Sequence, residues 1–247
     1  MNEWIKNSQF GFLTQWRAAL SSSVLPPVCV LCGAEGIRQS SHVRDLCPAC
    51  QQALPWGGSQ CARCALPLSA SATEALCGRC QTNPPAFELC LSPFHYQAPL
   101  DHLLQGLKFN GRLEQARLLG ELMADWLASV VENTPDRLIP VPLHAARLRE
   151  RGLNQAVELA RPIAKRLGLP LDLDSVRRTV ATSPQSDLSR KQRLKNIRGA
   201  FEVVEAVSGH VVIIDDVMTT GSTAHELAKT LLRAGADQVD VWVCARA

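Results

Sequence analysis

VVIIDDVMTTGST, residues 211–223, opens with four β-branched apolar residues, the composition of a strand buried on both faces. Two adjacent acids, Asp215 and Asp216, stand at its C-terminal end. A turn rich in Thr, Gly and Ser then leads into a helical pattern over Ser222–Ala234. An ordinary capped helix start explains the hydroxyls but not paired acids at the end of a buried strand. Nor is this a Walker A loop, because no Lys follows Gly221.

The order of these residues suits one kind of ligand. At a helix N-terminus the amides of Thr219–Thr223 can converge on an anion that the helix dipole also favours. The hydroxyls of Thr219, Thr220, Ser222 and Thr223 add donors without adding charge. Gly221 lets the backbone approach a phosphate with no Cβ in the way. Asp215 and Asp216 precede the cradle at the distance of a ribose ring, placed to accept hydrogen bonds from its 2- and 3-hydroxyls. They are also the candidate catalytic carboxylates and, with diphosphate oxygens, the groups expected to hold Mg2+. The expected phosphate and ribose site is therefore Asp215, Asp216, Met218, Thr219, Thr220, Gly221, Ser222 and Thr223. In an open α/β sheet, ligands bind at such strand ends.

Outward from this stretch, strands are expected at Ser92–Tyr96, Arg137–Pro142 and Gln238–Cys244. Helical patterns run near Pro99–Gly106, Arg112–Val131 and Leu153–Leu167. Strands alternating with helices predict an α/β domain, a parallel sheet covered on both faces. Asn83-Pro84-Pro85 marks its N-terminal boundary, giving a phosphate-binding domain over 85–247.

Eight of the ten cysteines form four C-x-x-C pairs: Cys29/Cys32, Cys47/Cys50, Cys61/Cys64 and Cys77/Cys80. Two sulfurs separated by two residues fit one tight knuckle, and two knuckles complete a tetrahedron around Zn2+. A redox C-x-x-C could occur once but not four times, and disulfides require an oxidising compartment. A double zinc-ribbon module over 26–84 follows, holding two structural zinc ions and drawing its folding energy from them. Sequential and interleaved pairings both satisfy the spacing, the sequential one being simpler. Cys90 and Cys244 stand outside the pattern as small core residues.

At 46% hydrophobic and 20% charged residues, the composition is that of a globular protein rather than a disordered chain. The net charge of +3 matters less than its distribution. From Arg177 to Arg198 there are seven Arg or Lys and one acid, Asp187, which points to an anionic partner. No stretch is apolar for 18 residues, so no membrane span is expected. Residues 1–25 carry Lys6 and Arg17 among apolar residues, with Phe12, Trp16 and Leu20 at i+4 spacing. They read as an amphipathic helix rather than a secretion signal, and the protein as cytoplasmic.

The 211–223 string resembles the phosphoribosyl-pyrophosphate motif of type I phosphoribosyltransferases. With the four C-x-x-C pairs, the chain from about Cys29 onward resembles the ComF/GntX family of bacterial competence proteins. Leu107–Arg112 (LKFNGR), Val141–His144 (VPLH) and Arg147–Ala156 (RLRERGLNQA) also fit that family. So does the run from Gln185 through Leu188, Arg193 and Asn196 to Gly199-Ala200-Phe201. The resemblance implies a type I phosphoribosyltransferase-like sheet, with a pyrophosphate loop at Leu143, His144 and Ala145 and with Arg147, Arg149 and Arg151 behind it. It implies a mobile cover in the basic stretch, including Lys191 and Arg193. It further implies a role in DNA uptake during natural transformation, beside a competence helicase and a recombination mediator.

Three functions are compatible with these residues. Single-stranded DNA repeats a pentose 5-phosphate, and Lys108, Arg147, Arg151, Lys191 and Arg193 could track its backbone, with Phe109 as a stacking surface. Alternatively, the chain is an active phosphoribosyltransferase, moving ribose 5-phosphate from phosphoribosyl pyrophosphate to an acceptor, or a sensor of that metabolite. No stretch announces a pocket for an acceptor base, and a shared fold does not establish transfer chemistry.

Overall fold

The computed structural model describes residues 26–39, 42–69, 75–180 and 197–247. The helix expected over 1–25 lies outside them. Compact units divide between Leu54 and Pro55, earlier than the 84/85 boundary read from the sequence. The cysteines Cys61–Cys80 therefore share a unit with the sheet.

The first unit is a small ribbon. Strands β1 (Ile37–Gln39) and β2 (His42–Arg44) pair antiparallel, Ile37 opposite Arg44. Helix α1 (Pro48–Gln52) starts at Cys47, whose Sγ accepts from the Cys50 amide at 3.4 Å. Gly33, at φ +75°, makes the left-handed turn of the first knuckle, where its amide donates to the Cys29 carbonyl.

In the second unit, helix α2 (Gly78–Thr82) leads to β3 (Cys90–Leu91) and β4 (Phe94–His95). Helices α3 (Leu100–Asn110) and α4 (Leu113–Val130) precede strand β5 (Arg137–Pro140). Helices α5 (Ala145–Arg151) and α6 (Gln155–Leu167) follow. Then come β6 (Val176–Arg178), β7 (Phe201–Val203), β8 (His210–Met218), α7 (Ser222–Arg233) and β9 (Gln238–Arg246).

The main sheet is parallel throughout, in the order β3-β9-β8-β5, with β4 also on β9. Val211 and Ile213 of β8 and Val239, Val241 and Val243 of β9 share a core with Ala224, Leu227 and Leu231 of α7. Their alternates Val212, Ile214 and Trp242 project to the other face and are equally buried. Two buried faces explain the unbroken apolar run of β8. The expected parallel α/β sheet is present.

The structure departs from expectation in three places. β8 continues through both acids to Met218, so Asp215 and Asp216 lie within the strand, Asp215 paired with Val243. Arg147–Arg151 occupy a short helix that the apolar pattern did not signal. Arg177 and Arg178, read as the start of a basic cover, lie in β6, which pairs antiparallel with β7. Lys191 and Arg193 lie outside the described residues.

Helices α4 and α6 meet at Gly120, where a Cβ would lie 2.8 Å from the Leu159 carbonyl oxygen and 2.8 Å from Pro162 Cγ. Gly120→Val is expected to destabilise the protein by about 1–3 kcal/mol through overpacking, lowering the Tm by roughly 2–4 °C per kcal/mol. Thermal unfolding measures it, and an unchanged Tm would contradict the packing described.

Candidate anion site and metal centres

The loop after β8 turns tightly into α7. Gly221 takes φ +73° directly before α7, a conformation that side chains resist. Thr220 Oγ1 and Ser222 Oγ lie 2.7 Å apart, and the Ser222 amide donates to Thr220 Oγ1 at 3.4 Å. The His225 amide donates to the Gly221 carbonyl, closing the first helical turn.

Asp215, Asp216, Met218, Thr219, Thr220, Gly221, Ser222 and Thr223 all line one cavity of about 570 Å³. Leu143, His144, Arg147, Arg151 and Lys108 line it too, as do Arg178, Tyr96 and Phe109. Of the described residues expected at the site, outside the cysteines, these line the cavity, whereas Ala145 and Arg149 are not among its lining residues. His144 caps α5, its Nδ1 accepting from the Ala146 amide at 3.2 Å. Asn154 anchors the preceding loop, donating from Nδ2 to the Val141 carbonyl at 3.0 Å while its Oδ1 accepts the Ala156 amide. Arg147 pairs with Glu150 at 3.4 Å, and Arg151 donates to Gln155 Oε1 at 3.2 Å.

The electrostatics are mixed. Burial and the neighbouring Asp216 charge push the Asp215 carboxyl well above the usual carboxylate range, opposed by the Asp216 amide and by Lys108. The Asp216 amide donates to Asp215 Oδ1 at 2.9 Å. Burial lowers the proton affinity of Arg178, attraction to Asp215 restores part of it, and repulsion from Arg147 and Arg151 opposes that. Arg178 also lies over the Phe201 ring, 5.7 Å from its centroid. Sequence reading placed Arg178 only in a basic run. Its position depends on the β6–β7 pairing, and the one local signal, an apolar Phe201-Glu-Val203 stretch, is too short to announce a strand.

The eight paired cysteines form two clusters in the sequential arrangement, Cys29/Cys32/Cys47/Cys50 and Cys61/Cys64/Cys77/Cys80. Within each, the Sγ atoms lie within 4.8 Å of one another. Cys32 and Cys47 are 3.7 Å apart, as are Cys64 and Cys77. The edge of a tetrahedron with Zn–S bonds of about 2.3 Å is about 3.8 Å, so both donor sets fit structural Zn2+. Burial opposes ionisation of Cys61, but the amides of Cys77, Cys64 and Arg63 outweigh it and bring the thiol down to about 7. The same balance, against the amides of Cys47, Cys32 and Leu31, brings Cys29 down to about 6. Amides thus favour the thiolate that a metal takes. Cys90 and Cys244 are buried, their thiols pushed up by desolvation.

Fold and site together define a parallel α/β domain with an anion cradle, attached to four-cysteine ribbon centres. Residues 20–81 match the double zinc ribbon domain. DNA utilization protein YhgH of Salmonella typhimurium is 39% identical over 227 residues, covering 90% of this chain and 98% of that protein. Competence protein F of Haemophilus influenzae is 32% identical over 229 residues, covering 89% of this chain and 96% of that protein. A purine phosphoribosyltransferase structure from Pyrococcus horikoshii aligns with a TM-score of 0.31 at 15% identity, over 52% of this chain and 80% of that one. The chain belongs to the family of DNA utilization protein YhgH and competence protein F, the ComF family that its motifs resemble. Among the described residues no helix is long and apolar enough to cross a membrane.

Two outcomes follow from this geometry. The second cluster is wholly buried, whereas Cys32 of the first is exposed and Cys50 half-buried. Chelator-driven zinc release should therefore be biphasic, and Cys32→Ser should remove the fast phase; release of both ions in one phase would contradict the difference in burial. The raised Asp215 carboxyl means that the native state keeps a proton that the unfolded chain loses as pH rises past its ordinary value of 3.8. Stability is then lost with rising pH from there up to the raised value. In magnesium-free buffer, Asp215→Asn should flatten that decline, because an amide does not titrate. Parallel Tm–pH curves for the two proteins would count against the assignment.

Proposed function

We propose that this chain is a cytoplasmic DNA-uptake protein that holds phosphoribosyl or other sugar 5-phosphate groups in the 215–223 cradle and binds single-stranded DNA along the arginines of the same cavity. The names of its relatives, a DNA utilization protein and a competence protein, support the role. The observation that carries the site is a single cavity lined by residues of the 215–223 stretch together with Arg147, Arg151 and Arg178. A loop of amides and hydroxyls takes one phosphate, while a strand needs further cations along its backbone. A helicase and a recombination mediator are the partners such a role implies.

The second reading is an active phosphoribosyltransferase. It gains support from Tyr96, which joins Phe109, the stacking residue expected from the sequence, in lining the same cavity, so that the two offer an acceptor base an aromatic surface. Phe109 is 72% exposed, with the Lys108 ammonium over its ring 5.9 Å from the centroid. Asp215 and Asp216 would hold the ribose hydroxyls and, with diphosphate oxygens, Mg2+. The ion supplies neutralisation of the leaving diphosphate.

Calorimetric binding of phosphoribosyl pyrophosphate with Mg2+, alone and against a short single-stranded oligonucleotide, tests the proposal. Mutual competition is the expected result. Sugar-diphosphate binding that is indifferent to DNA would move the transferase or sensor reading ahead. Arg147→Ala and Arg151→Ala should each weaken oligonucleotide binding and reduce its salt slope by about 0.7.

A further inference from the structure

The cradle is held from behind by residues its own sequence does not contain. Arg246, at the end of β9, is only 5% exposed. Its Nε donates to the Cys64 carbonyl at 2.9 Å. Its Nη1 donates to the Met218 carbonyl at 2.8 Å and the Thr219 carbonyl at 2.6 Å, and also reaches the Ala247 carbonyl. Arg79, inside the Cys77–Cys80 knuckle, donates from Nη1 to the Thr220 carbonyl at 2.7 Å. Three successive loop carbonyls thus accept from guanidinium groups tied to the two knuckles of one cysteine centre.

A trans peptide unit carries its C=O and N–H in opposite directions. Holding the Met218, Thr219 and Thr220 carbonyls back toward the knuckles turns the amides of Thr219, Thr220 and Gly221 the other way. A charged donor on each carbonyl also polarises its amide into a stronger donor. The buried Arg246 charge requires compensation. Four thiolates around a divalent ion leave two net negative charges, and Cys64, whose carbonyl Arg246 grips, belongs to that set. Four neutral thiols supply none.

We propose that Arg79 and Arg246 are positioning residues through which the Cys61/Cys64/Cys77/Cys80 centre sets the phosphate loop, so that metal at this centre tunes affinity for sugar 5-phosphates. The affinity part rests on the cradle reading above; the loop-ordering part does not. His225 supports the same junction, its Nδ1 accepting the Ala86 amide at 3.0 Å. The α7 start is therefore tied to the segment that follows the second knuckle.

The test uses the full chain loaded with zinc. Ribose 5-phosphate and phosphoribosyl pyrophosphate with Mg2+ are titrated calorimetrically, and amide hydrogen exchange is followed in peptides spanning 217–224. Arg79→Ala should weaken binding about tenfold, the loss expected for one charge-assisted hydrogen bond, and speed exchange in the loop. Zinc content and circular dichroism should stay at wild-type values, and Arg79→Lys should recover part of the affinity. Arg246→Lys should have the same signature. Wild-type affinity and loop exchange in Arg79→Ala would overturn the proposal. So would loss of zinc in that variant, which would make Arg79 a builder of the ribbon instead. If the wild type binds neither sugar phosphate, the cradle reading and the affinity claim fall together, and the exchange measurement still decides whether the arginines order the loop.

Discussion

The parallel pairing of β8 with β9 is the constraint on which the site depends. It runs from His210 opposite Gln238 to Met218 opposite Arg246. Because it continues past the buried apolar run, it carries the two acids into the cavity on a rigid strand rather than a loop. The same register brings Arg246 level with Met218, so the residue that grips the cradle arrives through the pairing that forms it. A one-residue slip would turn every β8 side chain to the opposite face, exchanging Val211 and Ile213 with Val212 and Ile214. Both faces are apolar along the run, so the slip is resisted less by hydrophobicity than by the ends of the ladder. There Met218 pairs with Arg246, which brings that guanidinium to the Met218 and Thr219 carbonyls.

Two groups in the cavity are held where burial disfavours their charged forms. Asp215 is desolvated beside Asp216, and Arg178 is desolvated near Arg147 and Arg151. A ligand carrying hydroxyl donors and anionic oxygens about one sugar ring apart would relieve both tensions at once, the donors on the acids and the anion at the loop. Inorganic phosphate would relieve only one. The functional reading of the pocket thus rests on two opposed charge clusters held in proximity by the sheet.

The parts legible in the sequence were those encoded locally. The C-x-x-C knuckles, the β8 run, the acids and the hydroxyl loop each lie within a few residues, so spacing alone carries their chemistry. Zinc pairing remained open because both arrangements satisfy the same spacing; only chain geometry selects the sequential one. The residues that sequence reasoning missed act across long separations. Arg79 reaches Thr220 over 141 positions and Arg246 reaches Cys64 over 182. Arg178 enters the cavity through a three-residue pairing with Phe201–Val203. No local pattern distinguishes an Arg that will be buried against carbonyls from one on a solvated face.

The acid pair bears on which ligand the cradle suits. An internal deoxynucleotide has no 2-hydroxyl, and its 3-oxygen is esterified, so it offers two ionised carboxylates no donor. A ribosyl diphosphate offers two donors. The raised proton affinity of Asp215 changes this comparison: a protonated carboxyl donates as well as accepts, and a donor at that position suits an ester oxygen of a DNA strand. The nearby charge of Lys108, on the last turn of α3, acts the other way, lowering the same carboxyl and favouring the ionised form that accepts hydroxyl donors.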